Sequence, residues 1–596
     1  MVRLLLLPIL ANGVLAAQNC KATPLDSTWP SDSEWASLNS SIDGRLLRTA
    51  PVASSCWPGN PFNSSVSCDF VKEKWANGLF HAAQSESIDY PLFANNSCLP
   101  PGASGYVEGK GCELGGLPEY IVNATTEQHV ATAMKWASQR NIRITVKGTG
   151  HDLNGRSTGA YSLSIWTRNF NHITYHDTWT LPSNATEPHV ISFGSGNGWG
   201  PILTTALQHN RVVTTGQDPS VGPGGYIQGG GHGPLSRTYG LGAHQVLQAT
   251  IITTNGTTLT ANAATNPDLF WALRGGGGGQ YGVVTEYVIK THPAPRVTMG
   301  TLSLVPSTAS PNASWPAAAA LLALLPSLQD AGLAGAATLA TGASATKFSP
   351  ALDAPTSGVV ATQVLWGLNT TAAALTALID PVVAAVRAAA NGSVSVAWAP
   401  GNQTDYATFF AAISGSESAG AGAVASSRLL GRRHLDGLPR EKLTAFLRRG
   451  LAARNQTAGT FVTVGLQGGP GVAGVEEGSW GAVNPVWRDA YLHFIATGAG
   501  LDDGVSPREA LREAAVWMEE VKERNFREWA PDMGAYMNEA NPYNSEWKHD
   551  FYGEYYDRLV EIKRKYDPTE SLFVLNGVDT EDWEYDLDAG KLCKST

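Results

Sequence analysis

The sequence is poor in cysteine: six in 596 residues, and no two of them stand as CxxC, which disfavours zinc and dithiol redox chemistry. It is also short of positive charge. With 41 Lys and Arg against 51 Asp and Glu, a formal net charge of -10 argues against a surface built to neutralise phosphates or anionic lipid. Nucleic acid and membrane partners are therefore not expected. HExxH, GxSxG and carboxylate pairs at a readable spacing are all missing, which removes the usual pointers to hydrolysis, and no metal is expected. No repeat of fixed period is present. The one long apolar stretch follows Met1-Val2-Arg3 and runs to Leu15, with Pro8 and Gly13 inside it and small residues at Ala16-Ala17. It is too short to span a bilayer and reads as a signal peptide over 1–17, so the protein is expected to be secreted.

What is present agrees with an extracellular setting. Asn-X-Ser/Thr sequons stand at Asn39, Asn63, Asn95, Asn123, Asn184, Asn255, Asn312, Asn369, Asn391, Asn402 and Asn455. Five cysteines crowd the N-terminal part and Cys593 lies near the other end, so disulfides are the expected use; a tie between the termini is conceivable, but pairing is not readable. The length allows two or more folded units. Thr125 to Gln128 gives a helix start ahead of Val130, Met134 and Ala137 on one face, and the β-rich Ile142 to Val146 then delivers the chain into Gly148-Thr149-Gly150. A strand is expected from Gln245 to an Asn-Gly turn at Gly256, and a short helix from Asn266 runs into Gly275 to Gly279 before a strand at Val283 to Ile289. From about Val297 to Phe526 the composition shifts to Ala-rich helices, Pro316 to Leu328 and Thr371 to Ala390, alternating with strands at Val359, Val394 and Thr460. A loop is expected at Gly415 to Ser427. The aromatic C-terminal part places Tyr552, Tyr556, Leu559, Ile562 and Tyr566 on one helical side that stops at Asp567-Pro568, and is expected to pack back on the first domain.

The chemistry sits in glycine-rich blocks. In VKGTGHDLNGRSTG, Val146 to Gly159, glycines after a strand let backbone N–H groups approach a diphosphate. Spacing alone does not match the dinucleotide or Walker fingerprints, and locally the block reads equally as a glycine turn with a surface histidine. Its residues, however, resemble the pyrophosphate loop of vanillyl-alcohol-oxidase-type (PCMH-type) flavoproteins, in particular the berberine-bridge-enzyme-like branch. The resemblance continues through GPGGYIQGGGHGPLSRTYGLG, Gly222 to Gly242, NPDLFWALRGGGGGQYGVV, Asn266 to Val284, and the C-terminal YMN and YDP. The N-terminal CKATPLDSTWPSDSEW is similar to fungal secreted, isoamyl-alcohol-oxidase-like members.

The resemblance implies FAD joined covalently through His151, within a pocket formed by Lys147, Gly148, Thr149, Gly150, Asp152, Asn154, Gly155, Ser157, Asp218, Val221, Gly222, Gly225, Gly229, Gly230, Gly231, Gly282 and Val283. Relatives form a second link through a cysteine where this chain has Asp218, so a single covalent bond is expected. Val221 stands where the branch sets oxygen access, or else merely packs the flavin edge. Tyr536 corresponds to the tyrosine that takes the substrate hydroxyl proton, with Asn538 holding the surrounding hydrogen bonds. A free phenol titrates near 10, so it needs a lowered pKa or a neighbour. His232 is one candidate neighbour and equally a structural histidine. His244, His176 and His549 have no readable partner.

The implied fold is α+β, a two-domain PCMH-type FAD-binding fold with a substrate domain on an antiparallel sheet covered by helices. The expected boundaries are 18–296 for the FAD-binding domain (core about 114–293), 297–526 for the substrate domain and 527–596 for the returning segment. The implied activity is a monomeric, secreted oxidase that moves a hydride from a hydroxyl-bearing carbon of a carbohydrate or alcohol to FAD and reduces O2 to H2O2. A dehydrogenase, an oxidative-cyclisation enzyme of secondary metabolism and an inactive flavin-binding protein stand as alternatives.

Overall fold

The computed structural model describes residues 20–415, 419–420 and 422–595. The expected leader lies outside them, as does part of the expected loop at Gly415 to Ser427. In the described part of that loop, the Ala419 and Gly420 N–H groups donate to the Ala76 and Asp89 carbonyls, and a strand begins at Ser426.

The architecture is α+β and rests on three main sheets. The first has four strands in the order Leu46–Arg48, Tyr120–Asn123, Leu163–Trp166, Ile144–Lys147, the last three parallel. Helix Glu127–Ser138 carries the chain from Tyr120–Asn123 across to Ile144–Lys147, and Leu163–Trp166 then inserts between the two. Thr126 caps that helix by accepting the His129 N–H, and the Val130, Met134 and Ala137 face is fully buried. The second sheet has five antiparallel strands, in the order Ile173–Thr180, Thr186–Gly194, Val283–Lys290, Val246–Ile252, Thr258–Asn262.

The third sheet has seven strands, antiparallel throughout, in the order Val394–Thr404, Val297–Pro306, Thr356–Leu368, Leu333–Gly342, Phe461–Leu466, Ala490–Ala496, Ser426–Gly431. Helices Ser314–Asp330, Ala372–Ala389 and Arg440–Gly450 share a core with alternate strand residues such as Leu302, Leu304, Val359, Ala361, Val462 and Val464. Strand side chains alternate between faces, so the other set serves a different core. Val297, Ala334 and Trp366 pack there with Tyr406, Phe409 and residues of the five-stranded sheet. Helix Ala372–Ala389 is long and apolar enough to cross a membrane by composition, yet its Leu375, Ile379, Val382, Val383 and Val386 stripe is buried in the first of these cores.

The chain then returns to its beginning. Helix Tyr556–Tyr566 buries Tyr556, Leu559, Ile562 and Tyr566, with Tyr552 buried just ahead of it, and stops before Pro568. The Lys563 ammonium bonds Asp567 at 2.6 Å and the Gln280 and Leu572 carbonyls, and the Ile144 N–H donates to the Ser571 carbonyl at the edge of the first sheet. Disulfides join Cys56 to Cys68, Cys98 to Cys112 and, 573 residues apart, Cys20 to Cys593.

That last bond limits how far the unfolded ends can separate. Replacing Cys20 and Cys593 together by Ala should lower stability by about 2–4 kcal/mol, read as an earlier urea midpoint. An unchanged midpoint would mean that the non-covalent contacts alone hold the termini.

Candidate active site

A cavity of about 350 Å³ lies where the loop after Lys147, the stretch around Asp218 to Gly225, the turn at Gly278 to Gly282 and the segment Tyr536 to Glu539 meet. Of the residues expected there, Gly148, Thr149, Gly150, His151, Asp152, Ser157, Asp218, Val221, Gly222, Gly225, His232, Gly282, Tyr536 and Asn538 line it. The others stand behind the wall. Lys147 is buried with its ammonium on the His81 and Gln84 carbonyls, at 3.2 and 2.6 Å, and so does not face the cavity. Asn154 donates to the Met537 carbonyl. A Cβ on Gly155 would come within 2.4 Å of Phe93, one on Gly231 equally close to Tyr226, and one on Gly229 within 2.3 Å of the Asn538 amide. Gly230 lies beside Tyr536 and Val483. Val283 belongs to the core beneath the first sheet, and its neighbour Val284 takes the wall position, because successive strand residues face opposite sides.

The wall suits a large ligand rich in hydrogen-bonding groups. A Cβ on Gly224 or Gly225 would meet nothing within 4 Å, so these glycines present bare backbone toward the cavity. Gly150 takes φ +87°, which lets the loop turn without strain directly before His151. Ser195 Oγ, Gln228 Oε1 and the Tyr226 hydroxyl belong to residues of the wall and are buried without a partner among the described residues. An unpaired buried polar atom costs about 1–3 kcal/mol, so these atoms fit a ligand that bonds to them. The residues present thus fit a dinucleotide-sized cofactor.

His151 sits among carboxylates. Its Nε2 is 3.3 Å from Asp218 Oδ2 and 3.7 Å from Asp89 Oδ2. Burial alone would lower the imidazole pKa; the Asp218 hydrogen bond and both carboxylates outweigh it and raise the value above the ordinary one. Asp218 goes the other way. Burial pushes its carboxyl up, but hydrogen bonds from His151 and from the Ser220 N–H and hydroxyl hold it below the usual range. Asp89 is only 1% exposed, neither of its oxygens has a hydrogen-bond partner among the described residues, and burial pushes it up to about 7.

Tyr536 is reached by a chain of hydrogen bonds. Asp152 holds Arg156 through Nε at 2.8 Å, Arg156 Nη2 donates to Asn538 Oδ1 at 2.9 Å, and Asn538 Nδ2 donates to the Tyr536 oxygen at 2.8 Å and the Gly225 carbonyl at 2.9 Å. Burial and the nearby Glu539 raise the phenol above its ordinary pKa; Asn538, the Arg156 charge and the Gly231 backbone pull against them without winning. Of the two routes left open for proton transfer, a lowered phenol or a neighbouring group, the surroundings give the phenol a raised value. The His232 ring lies edge-on to Tyr536 at 4.8 Å between centroids, with Nε2 3.0 Å from Glu539 Oε2. Burial would raise the Glu539 carboxyl, but His232 and His493 outweigh it and hold it down to about 2.

Arg156, Glu539, Asp89 and His493 escaped the reading of the sequence. Arg156 lies inside the loop motif, four residues after Asp152, and Glu539 directly follows Asn538, so both had a local signal. Asp89 and His493 had none, since only the fold brings them near.

Residues 118–262 match the family described as "FAD binding domain" and residues 535–576 the family "Berberine and berberine like". The FAD-linked oxidoreductase apf9 of Gibberella fujikuroi is 33% identical over 98% of this chain and 97% of its own length. The VAO-type flavoprotein oxidase VAO615 of Thermothelomyces thermophilus is 29% identical over 97% of this chain and 96% of its own. Among solved structures, VAO-type flavoprotein MtVAO713 from Myceliophthora thermophila aligns with a TM-score of 0.87 at 30% identity, covering 97% of this chain and 100% of that one.

The burial of Asp89 has a consequence for pH. Its folded pKa of about 7 lies above the ordinary carboxyl value near 3.9, so folding favours the protonated form. This contribution is fully present below the ordinary value and lost as pH rises through about 7. Asp89→Asn should therefore gain on the parent as pH goes from 4 to 8, by about 1–4 kcal/mol in urea unfolding. A difference independent of pH would show that this carboxyl does not titrate in that window.

Proposed function

The chain belongs to the FAD-linked oxidoreductases of the vanillyl-alcohol-oxidase type, and from that membership we propose that it is a secreted oxidase acting on a hydroxyl-bearing carbon of a carbohydrate or alcohol, with FAD held covalently through His151 alone and O2 as acceptor. The observation that carries this reading is the convergence, in one cavity, of His151, a glycine wall and Tyr536 with its hydrogen-bond chain. Bound FAD supplies hydride acceptance and the reduction of oxygen to hydrogen peroxide.

The chain's own residues bind, orient and move a proton. Backbone along Gly148 to Gly150 and Gly222 to Gly225, with Ser157, would hold the diphosphate. His151 is the attachment point, its Nε2 turned to the Asp218 carboxylate. With Asp218 where relatives carry the second cysteine, no thiol stands there to form another link; the six cysteines are all paired elsewhere. Tyr536 lies on the wall to receive the hydroxyl proton as its phenolate, after its own proton has passed to solvent, and Asn538 and the Arg156 charge stabilise that anion. His232 and Glu539, on the same wall, offer a polar contact for the donor's remaining hydroxyls. Val221 lines the cavity, a small side chain at the position read as setting oxygen access. The 29% identical relative named as an oxidase supports O2 as acceptor. Three disulfides, and the apolar N-terminal stretch read as a signal peptide, support secretion.

Acid precipitation of the purified protein tests the link: flavin colour should stay with the parent pellet and be released from His151→Ala. A native sample that has not been precipitated, reduced with dithionite and opened to air, should reoxidise within seconds. Colourless protein would end the flavoenzyme reading, and slow reoxidation would assign a dehydrogenase with another acceptor. Tyr536→Phe should slow flavin reduction by about 10²–10⁴-fold with any donor found by peroxide release, while leaving flavin content unchanged. Parent-like reduction would remove Tyr536 as the base.

A further inference from the structure

The wall beside Tyr536 carries a constellation that hydride transfer does not require. His232 comes from the glycine-rich block, His493 from strand Ala490–Ala496 and Glu539 from the turn after Asn538. One ligand atom from each lies within 4.8 Å of the other two. Glu539 Oε2 is 3.0 Å from His232 Nε2 and 3.4 Å from His493 Nδ1. His493 is 1% exposed and neither ring nitrogen makes a hydrogen bond among the described residues, although Nδ1 faces the Glu539 carboxylate. An imidazole buried without a partner is costly unless something else takes its lone pair.

We propose that His232, His493 and Glu539 form a binding site for one zinc-class divalent ion on the cavity wall, next to the Tyr536 ring. Zinc bonds His nitrogen and carboxylate oxygen at about 2.0–2.2 Å, so ligand atoms around a tetrahedral ion stand about 3.3 Å apart. Two of the three separations already fall near that value, and the third, within 4.8 Å, closes if the two imidazoles approach by up to about 1.5 Å. Two nitrogens and one carboxylate suit zinc and its neighbours, whereas calcium and magnesium require oxygen ligands. The fourth position faces the cavity, because His232 and Glu539 line it. An ion there would occupy the polar groups beside Tyr536 and block a donor from reaching it, making the site inhibitory. The binding claim stands on geometry alone and is independent of the redox reading.

Calorimetric titration of the chelator-treated, flavin-loaded protein with Zn²⁺ tests it. One tight equivalent is expected, weakened at least tenfold in His232→Asn and in Glu539→Gln, each checked for an unchanged unfolding midpoint. His232 sits at the wall rather than in the core, so its variant keeps the test open if His493→Gln does not fold. The exposed His172–Glu286 pair, at 2.8 Å, is the competing surface site, and His172→Asn should retain the equivalent. No tight equivalent in the parent, one that survives both cavity variants, or one lost with His172→Asn would overturn the proposal.

Discussion

Asn538 is the joint on which the site depends. Its Nδ2 donates to both the Tyr536 oxygen and the Gly225 carbonyl, and its Oδ1 accepts from Arg156. Its side chain also fills the space that a Cβ on Gly229 would need. Through Arg156, 382 residues away from Asn538 in sequence, and Asp152 the same bonds reach the loop that carries His151. A partly buried network of this kind is stiff when every member is satisfied and costly when one is missing, so these positions specify one another.

The seven-stranded sheet serves this joint from behind. Arg428, on its edge strand and almost fully buried, pairs with Asp550 at 2.7 Å and donates to the Ala530 carbonyl through Nε and Nη2. The Leu429 N–H donates to the Gly534 carbonyl and the Ala535 N–H to the Asp550 carbonyl, directly before Tyr536. Burying two charges gains little net stability over an apolar pair, but leaving either one alone is expensive. The segment carrying Tyr536 is thereby held to a single position against the sheet.

Two carboxylates near the cavity illustrate how surroundings decide protonation. Asp89 is buried without a hydrogen-bond donor to its oxygens, and its carboxyl rises to about 7. Glu539 is held down to about 2 because two imidazoles face it. Desolvation acts on both, and nearby positive or donating groups reverse its effect only for the second. His151 gains from the same rule, since Asp89 and Asp218 together outweigh the burial of its ring.

Much of this was legible locally. The helix at Glu127–Ser138, the strand into Gly148, the alternation of the third sheet and the glycine blocks follow from periodicity and turn chemistry, which act over a few residues. His151, Tyr536 and Asn538 stand in short motifs, so the sequence by itself singles them out as candidates, and the flavoprotein resemblance rests on the same blocks. Position along a motif does not say which way a side chain points. Lys147 lies in the loop motif yet spends its ammonium on two carbonyls, and Val283 yields the wall to Val284 through strand alternation. Asp89 at His151, His493 at Glu539 and the Cys20–Cys593 bond come from distant parts of the chain. Only the tertiary structure decided these, because burial and charge pairing depend on distance in space.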